Sequence, residues 1–543
     1  MKLAHALLEG LKSYGAREIF GIPGDFALPF FREIERTKIL PLYTLSHEPA
    51  VGFAADAAAR YRSSLSVAAV TYGAGALNMV NAVAQAYAEK SPVVVISGAP
   101  GASEGADGLG LHHQVKHLDS QRLIFNELTC AQAVLDDPAT APAEIARVLT
   151  AARELSRPVY IEFPRDMVDA DVDPVPAYTP TKHDPDAARA AAREVLTRLA
   201  AAKRPALLLC VEVRRYGLEK KVAELARRLA IPTATTFMAR GILADDDSPL
   251  IGSYLGLAGD AKIRATIENS DALLMLGVIM CDTNFGVSEK LIDKRNSILA
   301  FDRTVKFGYH TYADVPLAAL VDALLKEAKP VGKAKRTYAA QYPHKLKHDD
   351  KPILPQDIAT AVNDLFAKTG DRMPIASDMG DCLFTAMDMM KTALVAPAYY
   401  ATMGPGVPMG LGLAASSGRR PLILVGDGAF QMTGWELGNA RRLGLKPIVL
   451  VFNNSAWGML KVFQSDTAYN DLDDWHFADI AKSIGGIGER VATRKDLARA
   501  LDTAYADKDN WRLIEIMIPR GEYSRTLSQF VAAVRKRSVM AKG

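Results

Sequence analysis

The chain has 543 residues, 49% hydrophobic and 23% charged, which suits about three ordinary globular domains, each with its own core. Its 65 Lys and Arg against 62 Asp and Glu leave a formal net charge of +3, which argues against a nucleic-acid-binding protein with a strongly basic face. Four cysteines stand far apart with no CxxC spacing, which argues against a structural zinc site and fits a reducing, cytoplasmic compartment.

The N-terminal MKLAHALLEGLKSYG places Leu3, Ala6, Leu7 and Leu11 at helical spacing, with Glu9 interrupting the apolar run. It reads as an amphipathic helix and not as a secretion signal. Over 1–170, short β-branched runs alternate with alanine-rich helical stretches, and REIFGI, SVAAVTY, SPVVVISG and RPVYIEFP are the strand candidates. Such alternation predicts a parallel sheet with helices on both faces. DVDPVPAYTPTKHDPDA, rich in proline and aspartate, reads as a linker. A second block over 186–328 offers PALLLCV, PTATTF, ALLMLGV and SILAFD as strands. The polar, basic KPVGKAKRTYAAQYPHKLKHDDKPILPQD then reads as a solvated connector. A third block over 353–543 returns to the alternation with MPIASD, RPLILVGDG, KPIVLVFNN and WRLIEIMIP. The expected fold class is α/β, with three doubly wound parallel-sheet domains over 1–170, 186–328 and 353–543.

Two stretches without charge, Ser63 to Ala88 and Thr392 to Gly418, are long enough to span a membrane. The first carries Asn78, Asn81 and Gln85 and breaks at Gly73-Ala74-Gly75, so it reads as strand, glycine turn and buried helix. The second holds Gly404, Pro405, Gly406, Pro408, Gly410 and Gly412 and reads as a loop feeding a helix. No membrane span is expected.

The most informative stretch is LILVGDGAFQMTGWELGNARRLGLKPIVLVFNN. One apolar strand ends at Gly426-Asp427-Gly428 and the next at Asn453-Asn454, so a βαβ unit brings both ends to one sheet edge. The Asp427 carboxylate, the Asn454 amide oxygen and a backbone carbonyl near Ala456 would suit Mg2+, which takes oxygen ligands and phosphate oxygens. Gly428 admits phosphate close to the backbone, and the following helix start favours its charge. Taken alone, a GDG turn is common; the strand-helix-strand frame and the paired asparagines make the pattern specific.

In SHEPAVGFAADAAARY, Glu48 stands at a helix start with Pro49 in its first turn. Spacing alone makes it an acidic residue at the favourable end of a helix dipole. GIPGDF puts Asp25 on a turn after the first strand. GLHHQ gives His112 and His113 in tandem, and neighbours in an extended loop face opposite ways, so one of the two is expected to reach a substrate. In the central block, no G-x-G-x-x-G follows a strand, so no bound dinucleotide is expected. Arg214, Arg215 and Tyr216 there read as a solvated face, with a regulatory substrate site as the alternative.

On these residues the chain resembles the thiamine-diphosphate-dependent enzymes, whose cofactor motif begins with GDG and ends with NN. The resemblance covers the whole chain, in the order pyrimidine-binding, central and diphosphate-binding domain. Within that group it is most similar to the decarboxylases of 2-oxo acids. The resemblance implies thiamine diphosphate and Mg2+ as cofactors, with Asp427, Asn454 and the Ala456 carbonyl as metal ligands. Glycine is usual where Ala456 stands, a change that a backbone ligand tolerates. It further implies Glu48 as the carboxylate that activates the aminopyrimidine, the Ala401 carbonyl as acceptor for the pyrimidine amino group, and Met403 as the apolar prop under a V-shaped cofactor. Asp381, Gly428 and Ala429 complete the implied cofactor contacts. Asp25, His112 and His113 are implied as a proton relay, work to which histidine is suited by its ordinary pKa. The family builds its sites between chains, which implies a homodimer at least and commonly a homotetramer.

One departure matters. Where pyruvate and indolepyruvate decarboxylases carry a glutamate shortly after NN, NNSAWGMLK carries Leu460, as do the phenylpyruvate decarboxylases that produce indole-acetate. The apolar Phe384, Trp457, Met459, Leu460 and Phe463 could then wall a pocket for an aromatic side chain, with burial contributing about 25 cal/mol per Å2. The expected reaction is non-oxidative decarboxylation of phenylpyruvate or indole-3-pyruvate to the aldehyde and CO2. The alternatives are a thiamine-dependent carboligase or synthase, which Leu460 keeps open, and a non-catalytic thiamine-fold scaffold, against which Glu48 and Asp427 argue.

Overall fold

In the computed structural model, which describes residues 1–106, 109–285, 292–339 and 342–540, every strand read from the sequence is present. The first sheet comprises β1 (Ile19–Gly21), β2 (Leu42–Thr44), β3 (Ser66–Val70), β4 (Val93–Ala99), β5 (Gln132–Val134) and β6 (Val159–Pro164). They are all parallel, in the order β2-β1-β3-β4-β6-β5. The second comprises β7 (Pro205–Leu209), β8 (Thr233–Thr236), β9 (Leu250–Tyr254), β10 (Ala272–Leu276), β11 (Ser297–Phe301), β12 (Thr304–Phe307) and β13 (His310–Tyr312). Its order is β13-β12-β11-β10-β7-β8-β9. The third comprises β14 (Ile375–Ser377), β15 (Leu394–Val395), β16 (Leu422–Gly426), β17 (Ile448–Asn453), β18 (Ile487–Val491) and β19 (Arg512–Met517), in the order β15-β14-β16-β17-β19-β18.

The first and third sheets thus share one strand order, the structural basis of the common pattern in their sequences. Their central strands β4 and β17 are buried along their whole length, as a parallel sheet covered on both faces requires, and read as unbroken apolar runs. The second sheet differs from the all-parallel expectation: β12 and β13 add to β11 as an antiparallel edge. The residues Thr304–Phe307 and His310–Tyr312 are joined by a tight turn and need no helical crossover.

The chain forms two compact units. One holds Met1–Pro180, His344–Ala386 and Thr392–Glu522; the other holds Thr181–Pro343, Met387–Lys391 and Tyr523–Gly543. The first unit contains the first and third sheets around one shared core, to which Ala50, Val51 and Ala54 contribute from one side and Val407, Leu411 and Ile423 from the other. Helix Glu48–Arg62 packs on helix Gly406–Ser417, and the contact is very close: a methyl group at Gly412 would fall 2.2 Å from the Ala54 carbonyl oxygen. This overturns part of the sequence reading. Gly406, Pro408, Gly410 and Gly412 are helical and not loop, because the packing demands small residues more than the helix minds them. A buried polar junction adds to the contact. Arg60 bonds Asp56 at 2.7 and 2.6 Å, Glu89 at 2.6 Å and the Ala396 carbonyl at 3.0 Å. Glu89 in turn accepts from the backbone N–H groups of Ala398 and Tyr400 at 2.7 and 3.0 Å.

In the second unit, Asp184 caps helix Pro185–Ala201 by accepting from Asp186 N at 2.8 Å, which ends the first linker. The connector expected to be solvated is instead pinned down. Val331, Gly332 and Ala334 donate to the carbonyls of Leu229 and Ala230, and Thr337 and Tyr338 donate to that of Leu250. Arg336 donates to the carbonyls of Leu243 at 3.1 Å, of Ala244 at 2.6 Å and of Asp246. The solvated face expected at VEVRRYG is corrected as well: Val211–Arg215 is a short helix whose Glu212 is fully buried and whose Arg215 is 8% exposed. Helix Arg525–Met540 packs Phe530, Ala533 and Val534 against Leu255, Leu257 and Ala258. Among the described residues, no helix is long and apolar enough to cross a membrane.

Candidate active site

Each site residue expected from the first and third blocks follows the carboxyl end of a strand: Asp25 after β1, Glu48 after β2, His112 and His113 after β4, Asp381 and Phe384 after β14, Ala401 and Met403 after β15, Asp427 to Ala429 after β16, and Asn454 to Phe463 after β17. Doubly wound sheets bind ligands at that edge.

Asp25 opens a 3-10 turn, and both histidines reach it. His112 Nε2 hydrogen-bonds its Oδ2, and His113 Nε2 lies 3.7 Å from its Oδ1. The expectation that one of the pair would point away fails because His113 has φ +68°. That left-handed turn swings the second ring to the same side as the first, with ring centroids 4.9 Å apart. Phe26 stacks on His112 at 4.7 Å and orients it. Burial raises the Asp25 pKa, but the His112 hydrogen bond, the Phe26 N–H and the two imidazoles outweigh it and hold the carboxyl below its ordinary value.

Glu48 begins helix Glu48–Arg62 and is half-buried. Its Oε2 accepts from Asn78 Nδ2 at 2.8 Å and its Oε1 borders Gly75, both on the short helix Ala74–Asn78 that follows the turn after β3. Thr71 Oγ1, at the same turn, is buried without a hydrogen-bond partner.

Asp427 and Asn454 converge. The Asp427 Oδ2 and the Asn454 Oδ1 both accept from Ala456 N, at 3.3 and 3.1 Å, and Asp427 Oδ1 accepts from Gly428 N at 2.8 Å. Burial pushes the Asp427 carboxyl up to about 6 against backbone N–H groups of Gly428, Ala456, Ser455 and Asn454, which lower it. This all-oxygen donor pair around a buried carboxylate fits a hard divalent cation, which would supply countercharge where backbone dipoles alone do so. The Ala456 carbonyl accepts from Gly458 N at 2.8 Å. Trp457 lies against Gly428: a methyl there would fall 2.4 Å from its Cδ1.

Two groups, Glu515 and Asp378, and the role of Asn453 escaped the sequence reading. Asn453, the first of the pair, donates to Glu515 at 2.7 Å and accepts from Ser455 N at 3.2 Å, so it holds the turn that aims Asn454. Glu515 is fully buried and also receives Ala478 N at 3.0 Å. Asp378, fully buried with its carboxyl pushed up to about 6 by burial, accepts from Gly404 N at 2.9 Å and Gly406 N at 2.7 Å. It thereby anchors the loop that carries Ala401, at φ +60°, and the half-buried Met403. Thr402 Oγ1 between them is buried and unpartnered, a polar atom that a polar ligand could use. The signal for Asp378 was an aspartate closing an apolar strand, the same signature as Asp427. Asp381 opens the short helix Asp381–Ala386, in which Phe384 is buried.

The apolar wall is looser than expected. Trp457, Leu460 and Phe463 are 37, 53 and 39% exposed, and Met459 is half-buried on the short helix Gly458–Phe463.

Comparison with known proteins is consistent along the chain. Residues 1–123 match the thiamine pyrophosphate enzyme N-terminal TPP binding domain, 192–328 the central domain and 378–516 the C-terminal TPP binding domain. The chain is 62% identical over 538 residues to an indole-3-pyruvate decarboxylase of Azospirillum brasilense, covering 99% of each chain. It is 30% identical over 540 residues to an alpha-keto-acid decarboxylase of Mycobacterium avium (strain 104), covering 97% of this chain and 95% of that one. It is likewise 30% identical over 543 residues to an alpha-keto-acid decarboxylase of Mycobacterium tuberculosis (strain ATCC 25618 / H37Rv), covering 97% of this chain and 96% of that one. The chain therefore belongs to the thiamine-pyrophosphate-dependent 2-oxo acid decarboxylases, which take thiamine diphosphate as cofactor with Mg2+ as its usual metal.

Proposed function

We propose that the protein decarboxylates an aromatic 2-oxo acid, indole-3-pyruvate or phenylpyruvate, to the aldehyde and CO2. The observation that carries this reading is the helix Gly458–Phe463 beside the metal-type turn, whose Met459, Leu460 and Phe463 offer apolar contact, with Leu460 where a glutamate would present a charge. The 62% identity to an indole-3-pyruvate decarboxylase supports it.

Thiamine diphosphate, held at this edge, would supply the nucleophilic carbon and the electron sink that decarboxylation of a 2-oxo acid needs. The protein's residues do the rest. Asp427, Asn454 and the Ala456 carbonyl hold Mg2+, and Gly428 and Ala429 at a helix start receive the diphosphate. Asp381 adds a cofactor contact on the same edge. Glu48 would bond the pyrimidine ring, the Ala401 carbonyl would accept from its amino group, and Met403 would support the cofactor from below. Asp25, His112 and His113 deliver the proton that completes the aldehyde and escort the product out. Phe384, Trp457, Met459, Leu460 and Phe463 enclose the aryl group.

The assembly in this reading is a homodimer at least, and a homotetramer in full. Apolar side chains left exposed beside the site, among them Met432, Trp435, Leu460, Phe463 and Trp475, support covering by a second chain. None of the four cysteines is in a disulfide and three are buried, which supports a reducing, cytoplasmic setting.

The test is a kcat/KM series over 2-oxo acids of growing side chain, with CO2, aldehyde and hydroxyketone all measured. Aryl substrates should lead and aldehyde should dominate. Equal use of pyruvate removes the pocket argument, and dominant hydroxyketone favours a carboligase.

A further inference from the structure

Gln121 lies in helix Ser120–Asn126, directly after the loop that carries the two histidines, and is 1% exposed. All its polar atoms are committed. Its Oε1 accepts from Gly73 N at 2.6 Å, and its Nε2 donates to Ser97 Oγ at 2.9 Å and Tyr160 OH at 2.5 Å. The amide cannot turn over. Ser97 gives its hydroxyl proton to the Gly98 carbonyl at 2.9 Å, and Tyr160 gives its own to Glu162 Oε2 at 2.6 Å. Both hydroxyls therefore offer only lone pairs to Gln121, which must present its NH2 to them and its carbonyl to Gly73.

The Gly73 peptide so held is the floor beneath His113. Gly73 has φ +61° and ψ −104°, a conformation that needs glycine, and a methyl on it would fall 2.1 Å from the His113 carbonyl oxygen. His113 is itself left-handed, so the two unusual turns rest on one another. A shift of the Gly73 peptide has to move His113 and, through it, the contact with Asp25. The same peptide leads into Gly75, which borders Glu48.

We propose that Gln121, backed by Tyr160 and Glu162, is a positioning residue that sets the His112–His113 turn over Asp25. The inference rests on the reading of that turn as the proton relay. Chains of hydrogen bonds in a buried setting strengthen one another, so loss of one link is felt along the line.

The test uses the full-length protein loaded with thiamine diphosphate and Mg2+, and two near-isosteric variants. Gln121→Met keeps the volume and removes every link; Tyr160→Phe keeps the stack on Phe125, at 4.7 Å, and removes the two links made through its hydroxyl, to Gln121 and to Glu162, while those of Gln121 to Gly73 and Ser97 remain. Two readouts are taken: kcat and KM for phenylpyruvate, and the rate at which diethyl pyrocarbonate modifies His112 and His113, resolved by mass spectrometry. For Gln121→Met, kcat should fall about tenfold or more with KM nearly unchanged, and the His113 modification rate should change severalfold. Tyr160→Phe should move both readouts the same way by less, and it carries the test should Gln121→Met not fold. Unchanged histidine reactivity overturns the proposal, whether or not turnover falls, because a loss of turnover would then be merely structural. Altered histidine reactivity with parental turnover upholds the positioning and overturns the catalytic assignment of the histidines instead.

Discussion

Glu48 Oε2 accepts a 2.8 Å hydrogen bond from Asn78 Nδ2, so the residue assigned to cofactor activation is oriented by the short helix Ala74–Asn78 that follows β3, two strands away from β2 in the sheet. Glu48→Gln keeps shape and loses charge. Turnover should fall by about a hundredfold or more, while calorimetry still detects thiamine diphosphate binding. Retained turnover would overturn the assignment.

Removing the metal should release the cofactor. With Mg2+ present, thiamine diphosphate should raise the thermal midpoint of the parent protein; with a chelator, or in Asp427→Ala, that rise should vanish. A cofactor-induced rise that survives in Asp427→Ala would place the metal elsewhere.

Substrate choice should follow apolar contact. kcat/KM for phenylpyruvate should exceed that for pyruvate by roughly a hundredfold or more. Leu460→Glu should narrow the ratio by about tenfold, since it replaces an apolar contact with a carboxylate that an aryl group would have to desolvate.

Asp378 gives a pH prediction with a definite sign. Its native pKa of about 6 lies above its ordinary 3.8, so the folded state binds the extra proton between those values. Its contribution to stability therefore declines as pH rises from about 4 to about 6 and is level beyond. The thermal midpoint of Asp378→Asn, relative to the parent at each pH, should improve across that window. A flat or falling difference would contradict burial as the dominant influence on this carboxylate.

Gly412→Ala should destabilise by about 1–3 kcal/mol, read by denaturant or thermal unfolding, because the new methyl strikes the Ala54 carbonyl. An unchanged stability would mean that the two helices can separate at no cost.

The parts of this architecture that were legible in the sequence share a cause. Buried parallel strands are continuous apolar runs, and β4, β10, β16 and β17 announced themselves as such. The Asp427–Asn454 pair was legible because one βαβ unit fixes where two strand ends meet. Edge strands such as β2, β5 and β15 are short and carry little pattern, so they escaped. Helix Gly406–Ser417 was hidden by its glycines, whose reason lies on another helix far away in sequence. Likewise, no local pattern shows that His113 is left-handed, that Asn453 answers to Glu515, or that Gln121 reaches Gly73. Each of these depends on a partner brought in by the tertiary fold.

The strap over residues 328–339, which follows helix Leu317–Glu327, has a practical corollary. Lys329, Lys333, Lys335 and Arg336 follow one another closely, and such a run in a linker invites trypsin. A protease must draw a segment out into its own cleft, and here the backbone is stitched to Leu229, Ala230 and Leu250 while Arg336 spends its guanidinium on three carbonyls. Digestion of the native protein should spare this stretch until the strap has peeled away, so the scissile-looking stretch works as a seam.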